Sequence, residues 1–350
     1  MSGGVDSSVA ALLMKERGFD CSGVTMKLYN NEDAGVSSTK TCCSLDDIED
    51  AGLVASRLGM PYYVFNFTDE FKEKVMMRFA DAYLHGLTPN PCIDCNRYLK
   101  FRRLYLRSRE LGYDCIVTGH YATVEEKDGR FYLKKGLDDT KDQSYVLYPI
   151  TQEELSHTVF PLGTLTKKEV REIAEAHDFI NAHKADSQDI CFVPDGDYAA
   201  AVERLTGVKP TPGKFVDKNG NVLGEHRGII HYTIGQRKGL LPTLPGKMYV
   251  CSVCPEDNTV ILGTNADLFG TKATVTELNW ISGVAPTESF RCKAKTRYRQ
   301  KEMPATVTPL PNGDIEIEFD EPVRAITPGQ AAVLYDGEYV LGGGTIAVSN

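Results

Sequence analysis

Seven residues at the start of the chain have the types and order needed to hold a phosphate group. In Ser2-Gly3-Gly4-Val5-Asp6-Ser7-Ser8, two glycines let the backbone turn tightly, so successive N–H groups point into one concavity. The apolar spacing that follows, Val9, Leu12 and Leu13 up to Gly18, predicts a helix starting at Asp6 or Ser7. Its N-terminus adds partial positive charge, and the serine hydroxyls add donors. This is not a Walker A loop, which needs the G-x-x-x-x-G-K-S/T pattern. Glycines and serines alone would suit a serine-capped helix after a turn equally well. The full string is more specific.

Two cysteines stand in polar, turn-rich surroundings. Cys95 ends Asn90-Pro91-Cys92-Ile93-Asp94-Cys95, just ahead of a helix that carries Leu99, Leu104 and Leu111. A thiol there has its thiolate favoured by the helix dipole, which lowers its pKa. Cys191 lies in Ser187-Gln188-Asp189-Ile190-Cys191-Phe192. Cys21 and Cys115, in apolar strand patterns, and Cys292 read as small buried residues. Cys42-Cys43 carries no functional signal. Cys251 and Cys254 invite a zinc site with Cys92 and Cys95, but residues three apart on a strand face opposite ways, which argues against it.

A third feature is a row of charge. Arg291, Lys293, Lys295, Arg297, Arg299 and Lys301 occupy alternate positions, and a strand presents alternate residues on one face. Such a row suits a phosphate backbone, and Tyr298 offers a ring for base stacking. Asp314, Glu316, Glu318 and Asp320 have the same spacing and could neutralise the row across a sheet. Spacing alone leans slightly towards that salt ladder.

These groups need a scaffold, and 350 residues suggest two or three domains at about 100–200 residues each. An apolar share of 42% and a charged share of 25% exclude disordered, collagen-like and coiled-coil chains. The net charge of −9 argues against a surface coated in basic groups, though a local strip can still bind RNA. Ten cysteines are too few for a disulfide scaffold and point to buried, catalytic or metal-binding thiols in a reducing compartment. No apolar run approaches the roughly 18 residues of a membrane span, and the N-terminus lacks a secretory pattern. A cytoplasmic location without membrane contact is expected.

Strand patterns at 23–28, 62–67 and 115–118 alternate with helical ones. Ser44 and Asp47 form a variant capping box opening a helix through Ile48, Ala51, Val54, Ala55 and Leu58. Another helix runs around Phe71, Val75 and Phe79. The fold class is therefore α/β, with a mostly parallel sheet covered on both faces. From about residue 205, period-two alternation takes over. Asn219-Gly220 marks a hairpin, and strands at 291–300, 305–308 and 315–319, with Asn312-Gly313 at a turn, give a small antiparallel barrel or sandwich. The expected divisions are 1–200, 201–270 and 271–350.

The opening string resembles the loop of the PP-loop ATP pyrophosphatases. Together with NPCIDCNRYLKF (90–101), TGHY (118–121), KDQSYVLY (141–148), SQDICF (187–192), YTIGQRKGL (232–240), TRYRQ (296–300) and TPGQAAV (327–333), it makes nearly the whole chain similar to the bacterial tRNA-specific 2-thiouridylases of the MnmA type. The resemblance implies a Rossmann-like PP-loop catalytic domain, a central tRNA-binding domain and a C-terminal antiparallel β-barrel. It implies that Ser2, Gly3, Gly4, Val5, Asp6 and Ser7 hold ATP with Mg2+, that Met26 meets the adenine and that Gly119 meets the nucleotide. The wobble uridine would be adenylated on O2. A persulfide on Cys191, loaded by a sulfur-relay protein, would deliver sulfur, and Cys95 would release it, with a Cys95–Cys191 disulfide in the cycle.

The same resemblance puts Asn90, Pro91 and Cys92 against a target base swung out of the anticodon loop. It makes His120, Lys141, Asp142, Gln143, Arg297, Tyr298 and Gln330 tRNA contacts. On its own residues, His120 reads as a packed strand-end histidine. Many family members have an acidic residue where this chain has Cys92, which leaves the general base open, with Asp94 a substitute. An alternative reading makes Cys92, Cys95 and Cys191 ligands of a 4Fe–4S cluster. The family fold also places a strand ahead of the loop, whereas this sequence begins on the loop at Met1. Either the native start lies upstream or a central strand is lost, with a cost in stability and ATP affinity. Two other functions stay in view: a PP-loop synthetase needing no reactive thiol, and a non-catalytic RNA- or metal-binding module.

Overall fold

The computed structural model describes residues 1–35, 45–185, 190–242, 244 and 246–348. Helix Val5–Glu16 buries Val5, Val9, Ala10 and Leu12 against Val170 and Ala174 of helix Lys167–Ala176. Strand β1 (Gly23–Lys27) runs parallel to β2 (Tyr62–Asn66), with Gly23 opposite Tyr62. Helix Leu45–Arg57 between them buries Ala51, Val54 and Ala55; its expected cap, Ser44, lies outside the described residues. Next come β3 (Ile116–Val117), the antiparallel hairpin β4 (Ala122–Lys127) and β5 (Arg130–Lys135), and β6 (Thr158–Val159), which is parallel to β3. The parallel pairings are thus present, but as two separate two-stranded pieces rather than one sheet. Met1 lies along β1, where its ammonium donates to the Val24 carbonyl and its own carbonyl accepts from Thr25 Oγ1 at 2.6 Å.

The segment expected as a turn before Cys95 is already helical. Pro91–Asp94 is the first turn of a helix that continues through the π-helical Cys95–Arg103 into Leu104–Glu110. Asn90 caps it by accepting from the Cys92 amide at 3.2 Å. Pro91 follows the cap, where its fixed φ suits a helix and its missing N–H is not needed.

The middle of the chain forms a four-stranded sheet from β7 (Gly213–Val216), β8 (Val222–His226), β9 (Tyr249–Cys254) and β10 (Thr259–Gly263), ordered β8-β7-β10-β9. The C-terminal strands are β11 (Phe269–Trp280), β12 (Phe290–Lys295), β13 (Met303–Pro309), β14 (Ile315–Arg324), β15 (Ala331–Asp336) and β16 (Tyr339–Ile346). They pair in the order β11-β14-β13-β12-β15-β16, and β11 also pairs with β16, closing a six-stranded antiparallel barrel. Alternate residues such as Val275, Ala294, Val307 and Ile317 fill it.

The same sheet extends beyond the barrel. Tyr339 of β16 pairs with Lys134 of β5, so the β4–β5 hairpin of the first 200 residues is hydrogen-bonded to the barrel. Among the described residues, no helix is long and apolar enough to cross a membrane.

Candidate functional site

Gly4 is the N-cap of helix Val5–Glu16, in extended conformation and with no capping side chain. The first-turn amides of Val5, Asp6 and Ser7 therefore have no intrahelical acceptor and are open to an anion. Gly3 holds φ +69°, and a Cβ there would stand 2.6 Å from the Asp47 carbonyl oxygen. Gly119 closes the other side, since its Cβ would come within 2.7 Å of the Asp6 carbonyl carbon and 2.8 Å of the Ser7 nitrogen. Ser7 Oγ donates to the Gly4 carbonyl at 3.0 Å and accepts from the Ser2 amide at 3.1 Å. The result is a tight, backbone-lined loop whose first-turn amides can receive an anion.

Three side chains with no role assigned from the sequence hold this cradle. Lys167 Nζ meets both oxygens of Asp6 at 2.7 and 2.9 Å, and the Tyr121 hydroxyl donates to Asp6 at 2.8 Å. Asn181, buried, donates from Nδ2 to the Gly3 carbonyl at 3.0 Å and to Ser8 Oγ at 2.9 Å. Lone polar residues carry no spacing, so only tertiary structure could reveal them.

Cys95 requires a correction. It lies one turn inside the helix, not ahead of it, and its side chain is buried with Leu28, Tyr29, Phe67, Phe71 and Leu99. Burial pushes its thiol up to about 11, opposed by the positive charge of Lys100 and reinforced by Cys92 and Asp94. Desolvation overrides the expected lowering by the dipole. Cys191 packs against the same cluster, as does Met26. Phe192 anchors it, its ring edge-on to Phe71 at 5.7 Å and to Phe79 at 5.2 Å, while the Tyr29 hydroxyl donates to the Cys191 carbonyl at 2.7 Å. Three positions distant in sequence thus share one cluster. Both cysteines are thiols. The preceding residues 187–189 lie outside the described residues.

Cys92, in the first helical turn, is exposed. Among the described residues, no three Cys, His, Asp or Glu side chains form a group able to hold a metal ion. With Cys95 enclosed by apolar side chains, the three cysteines do not fit a 4Fe–4S cluster. Asp94 is turned towards Arg78, 3.5 Å away, which also reaches Glu277 at 4.0 Å. Burial raises its pKa, with Arg78 and Arg97 pulling it back.

The positions expected to meet RNA differ in accessibility. Tyr298 is 38% exposed, its ring edge-on to Tyr145. His120 is buried between Phe101 and Phe160, with Nδ1 2.7 Å from Thr118 Oγ1. Burial, helped by Lys100, holds its pKa well below the usual histidine value. Asp142, also buried, accepts from the Gly136 and Ser144 amides at 3.1 Å each and from Ser144 Oγ at 2.9 Å. The amide of half-buried Lys141 donates to the Asp138 carbonyl. Gln143 exchanges hydrogen bonds with the Tyr121 backbone at 2.9 and 3.0 Å. Arg297 Nη2 donates to Thr327 Oγ1 at 2.6 Å and to the Ile234 carbonyl at 3.1 Å. Gln330 Nε2 donates to the carbonyls of Thr88 at 2.8 Å and Pro89 at 3.4 Å.

The six-residue basic face is also corrected. Strand β12 stops at Lys295, and a turn follows in which Thr296 Oγ1 donates to Gln300 Oε1 at 2.7 Å. Arg297, Arg299 and Lys301 therefore leave the face. The salt ladder survives in part, since Arg291 meets Asp320 at 2.7 Å. Glu316 is paired instead with Lys272 of β11, at 2.9 Å.

Three family descriptions match successive stretches: "tRNA methyl transferase HUP domain" over residues 1–195, "tRNA methyl transferase PRC-barrel domain" over 202–264 and "Aminomethyltransferase beta-barrel domain" over 270–346. The chain is 50% identical over 351 residues to the tRNA-specific 2-thiouridylase MnmA of Clostridioides difficile, covering 100% of this chain and 97% of that protein. It is 49% identical to the MnmA of Lachnoclostridium phytofermentans, covering 99% of this chain and 98% of the other. To the MnmA of Acetivibrio thermocellus it is 48% identical, covering 99% and 97%.

Proposed function

The chain belongs to the tRNA-specific 2-thiouridylase family, and from that premise we propose that it is a tRNA sulfurtransferase converting the wobble uridine to 2-thiouridine. ATP lies with its phosphates on the amides of Val5, Asp6 and Ser7 and its adenine towards Met26. Mg2+ accompanying ATP would neutralise phosphate charge and take its ligands from water and phosphate, while Asp6, whose carboxylate is held by Lys167 and Tyr121, orients the loop. The uridine, carried on the anticodon loop, meets Asn90, Pro91 and Cys92.

Uridine O2 attacks the α-phosphate, a new P–O bond forms and pyrophosphate leaves. C2 now carries AMP as its leaving group. The terminal sulfur of a Cys191 persulfide, loaded by a relay protein, bonds to C2, and AMP departs with the C2–O electron pair. The Cys95 thiolate then attacks Cys191 Sγ. The sulfur–sulfur bond to the base breaks, releasing 2-thiouridine and leaving a Cys95–Cys191 disulfide, which a thiol reductant must reopen.

What carries this reading is the meeting of Cys95, Cys191 and Met26 at one cluster, an arrangement that an ATP-dependent ligase has no use for. The test is nucleoside mass spectrometry of tRNA incubated with ATP, a persulfide donor and the protein. Wild type should make 2-thiouridine, and Cys191→Ser should make none while still releasing pyrophosphate in a tRNA-dependent way. Thiolation by Cys191→Ser would refute the assignment. AMP without thiolation in the wild type would point to a synthetase, and no pyrophosphate release at all to a binding module.

A further inference from the structure

The turn that opens the Cys92–Cys95 helix is held from the far end of the chain. The loop between β14 and β15 runs through Thr327, Pro328, Gly329 and Gln330, against residues 87–89. The Thr88 amide donates to the Pro328 carbonyl at 3.0 Å, and Gln330 Nε2 donates to the Thr88 and Pro89 carbonyls. Gly329 fits between them at φ +88°, where a Cβ would stand 2.8 Å from the Thr88 nitrogen and 3.0 Å from Leu87 Cβ. The loop is itself fixed to the barrel, because the Gly329 amide donates to the Ile346 carbonyl at 2.9 Å and the Ile346 amide to the Gln330 carbonyl at 2.8 Å. From the side, Arg297 ties Thr327 to Ile234 of the middle region. Asn90, the helix cap, is the next residue after Pro89.

The barrel loop therefore holds the two residues preceding the cap, and the middle region reaches that same loop through Arg297. We propose that the barrel loop 327–330 is a positioning device for the thiol site, in which Gly329 and Gln330 set where Asn90, Pro91 and Cys92 stand, and Arg297 registers the middle region on the same loop. The barrel then does more than grip RNA. Its effect on turnover rests on the thiolation reading, but its hold on residues 88–92 does not.

Gly329 has no side chain to offer RNA, so it separates positioning from contact. Full-length wild type, Gly329→Ala and the near-isosteric Gln330→Glu are compared, with circular dichroism to confirm folding. In the protein alone, hydrogen exchange of the Thr88, Asn90 and Cys92 amides should accelerate at least tenfold in both variants, and iodoacetamide should modify Cys92 at an altered rate. With tRNA, thiolation kcat should fall about 10- to 100-fold, as a displacement near 1 Å can cause, while the tRNA Kd stays within about twofold. Wild-type exchange and kcat in Gly329→Ala would overturn the proposal. So would a raised Kd at unchanged kcat in Gln330→Glu, which would make Gln330 an RNA contact only. Accelerated exchange in the variants, in a protein whose wild type makes no 2-thiouridine, would leave the positioning role standing and remove the thiolation reading instead.

Discussion

A thiol enclosed by apolar side chains gives up its proton reluctantly, and Cys95 sets that effect against the helix dipole. Raising the thiol from 9.0 to about 11 corresponds to roughly 2.7 kcal/mol favouring the protonated form. A helix N-terminus offers a nearby charge only about 0.3–1 kcal/mol, so burial wins. Only the thiolate reacts with alkylating agents. Below its pKa the reactive fraction falls tenfold per pH unit, leaving about one thiol in a thousand ionised at pH 8. Cys95 should therefore be carbamidomethylated far more slowly than exposed Cys92 at pH 8, and its rate should keep rising up to about pH 11. Lys100→Met removes the charge that opposes burial and should move the inflection higher still. Pulsed iodoacetamide with peptide mass spectrometry reads both. Equal rates for Cys95 and Cys92 at pH 8 would show that burial does not govern this sulfur.

At the scale of elements, the sensitive junction is where the end of β3 meets the phosphate loop. Gly119→Ala would drive a methyl group into backbone atoms of Asp6 and Ser7 that have no room to yield. A shift of about 1 Å in the cradle should cut tRNA-dependent pyrophosphate release roughly a hundredfold, with circular dichroism unchanged. A variant with normal release would mean that the loop tolerates displacement. The helix after the loop and the strands β1 and β2 were legible in the sequence because their periodicity is local. Other features were not, and each failed for a physical reason. Alternation of charge continues past Lys295, but a strand and the turn after it can share a period of two, so the pattern overran the element. Pro91 looked like part of a turn, yet proline after a cap begins a helix as readily. The grip of Lys167 and Asn181 on the loop leaves no trace in spacing. The thiols were recognisable by their settings, whereas the burial of Cys95 depends on Phe67, Phe71 and Leu99 arriving from other segments.

For the whole molecule, the question is whether the barrel is an appendage or part of one cooperative unit. Tyr145, Leu147, Tyr148 and Phe160 share a buried cluster with Ala331, Val333 and Tyr335 of the barrel. The Tyr145 hydroxyl donates to the Ala331 carbonyl at 2.8 Å, and Asn279 Nδ2 donates to the Tyr148 and Ile150 carbonyls at 2.6 and 3.0 Å. Glycine at 343 lets the Tyr148 ring lie against β16, since a Cβ there would be 3.0 Å from the ring. An apolar seam of this kind ties the stability of each side to the other. The single tryptophan of the sequence, Trp280, lies on β11 and reports on the barrel, whereas far-UV circular dichroism reports mainly on helices of the first 200 residues. In urea the two probes should therefore trace one coincident transition, as a cooperative unit requires. Tyr148→Ala empties the seam from the α/β side and should cost about 3–5 kcal/mol, the usual loss for a buried aromatic ring. Both transitions should then move together to lower urea. If the Trp280 signal stays in place while the helical signal moves, the barrel folds independently, and the seam is a contact between separate domains.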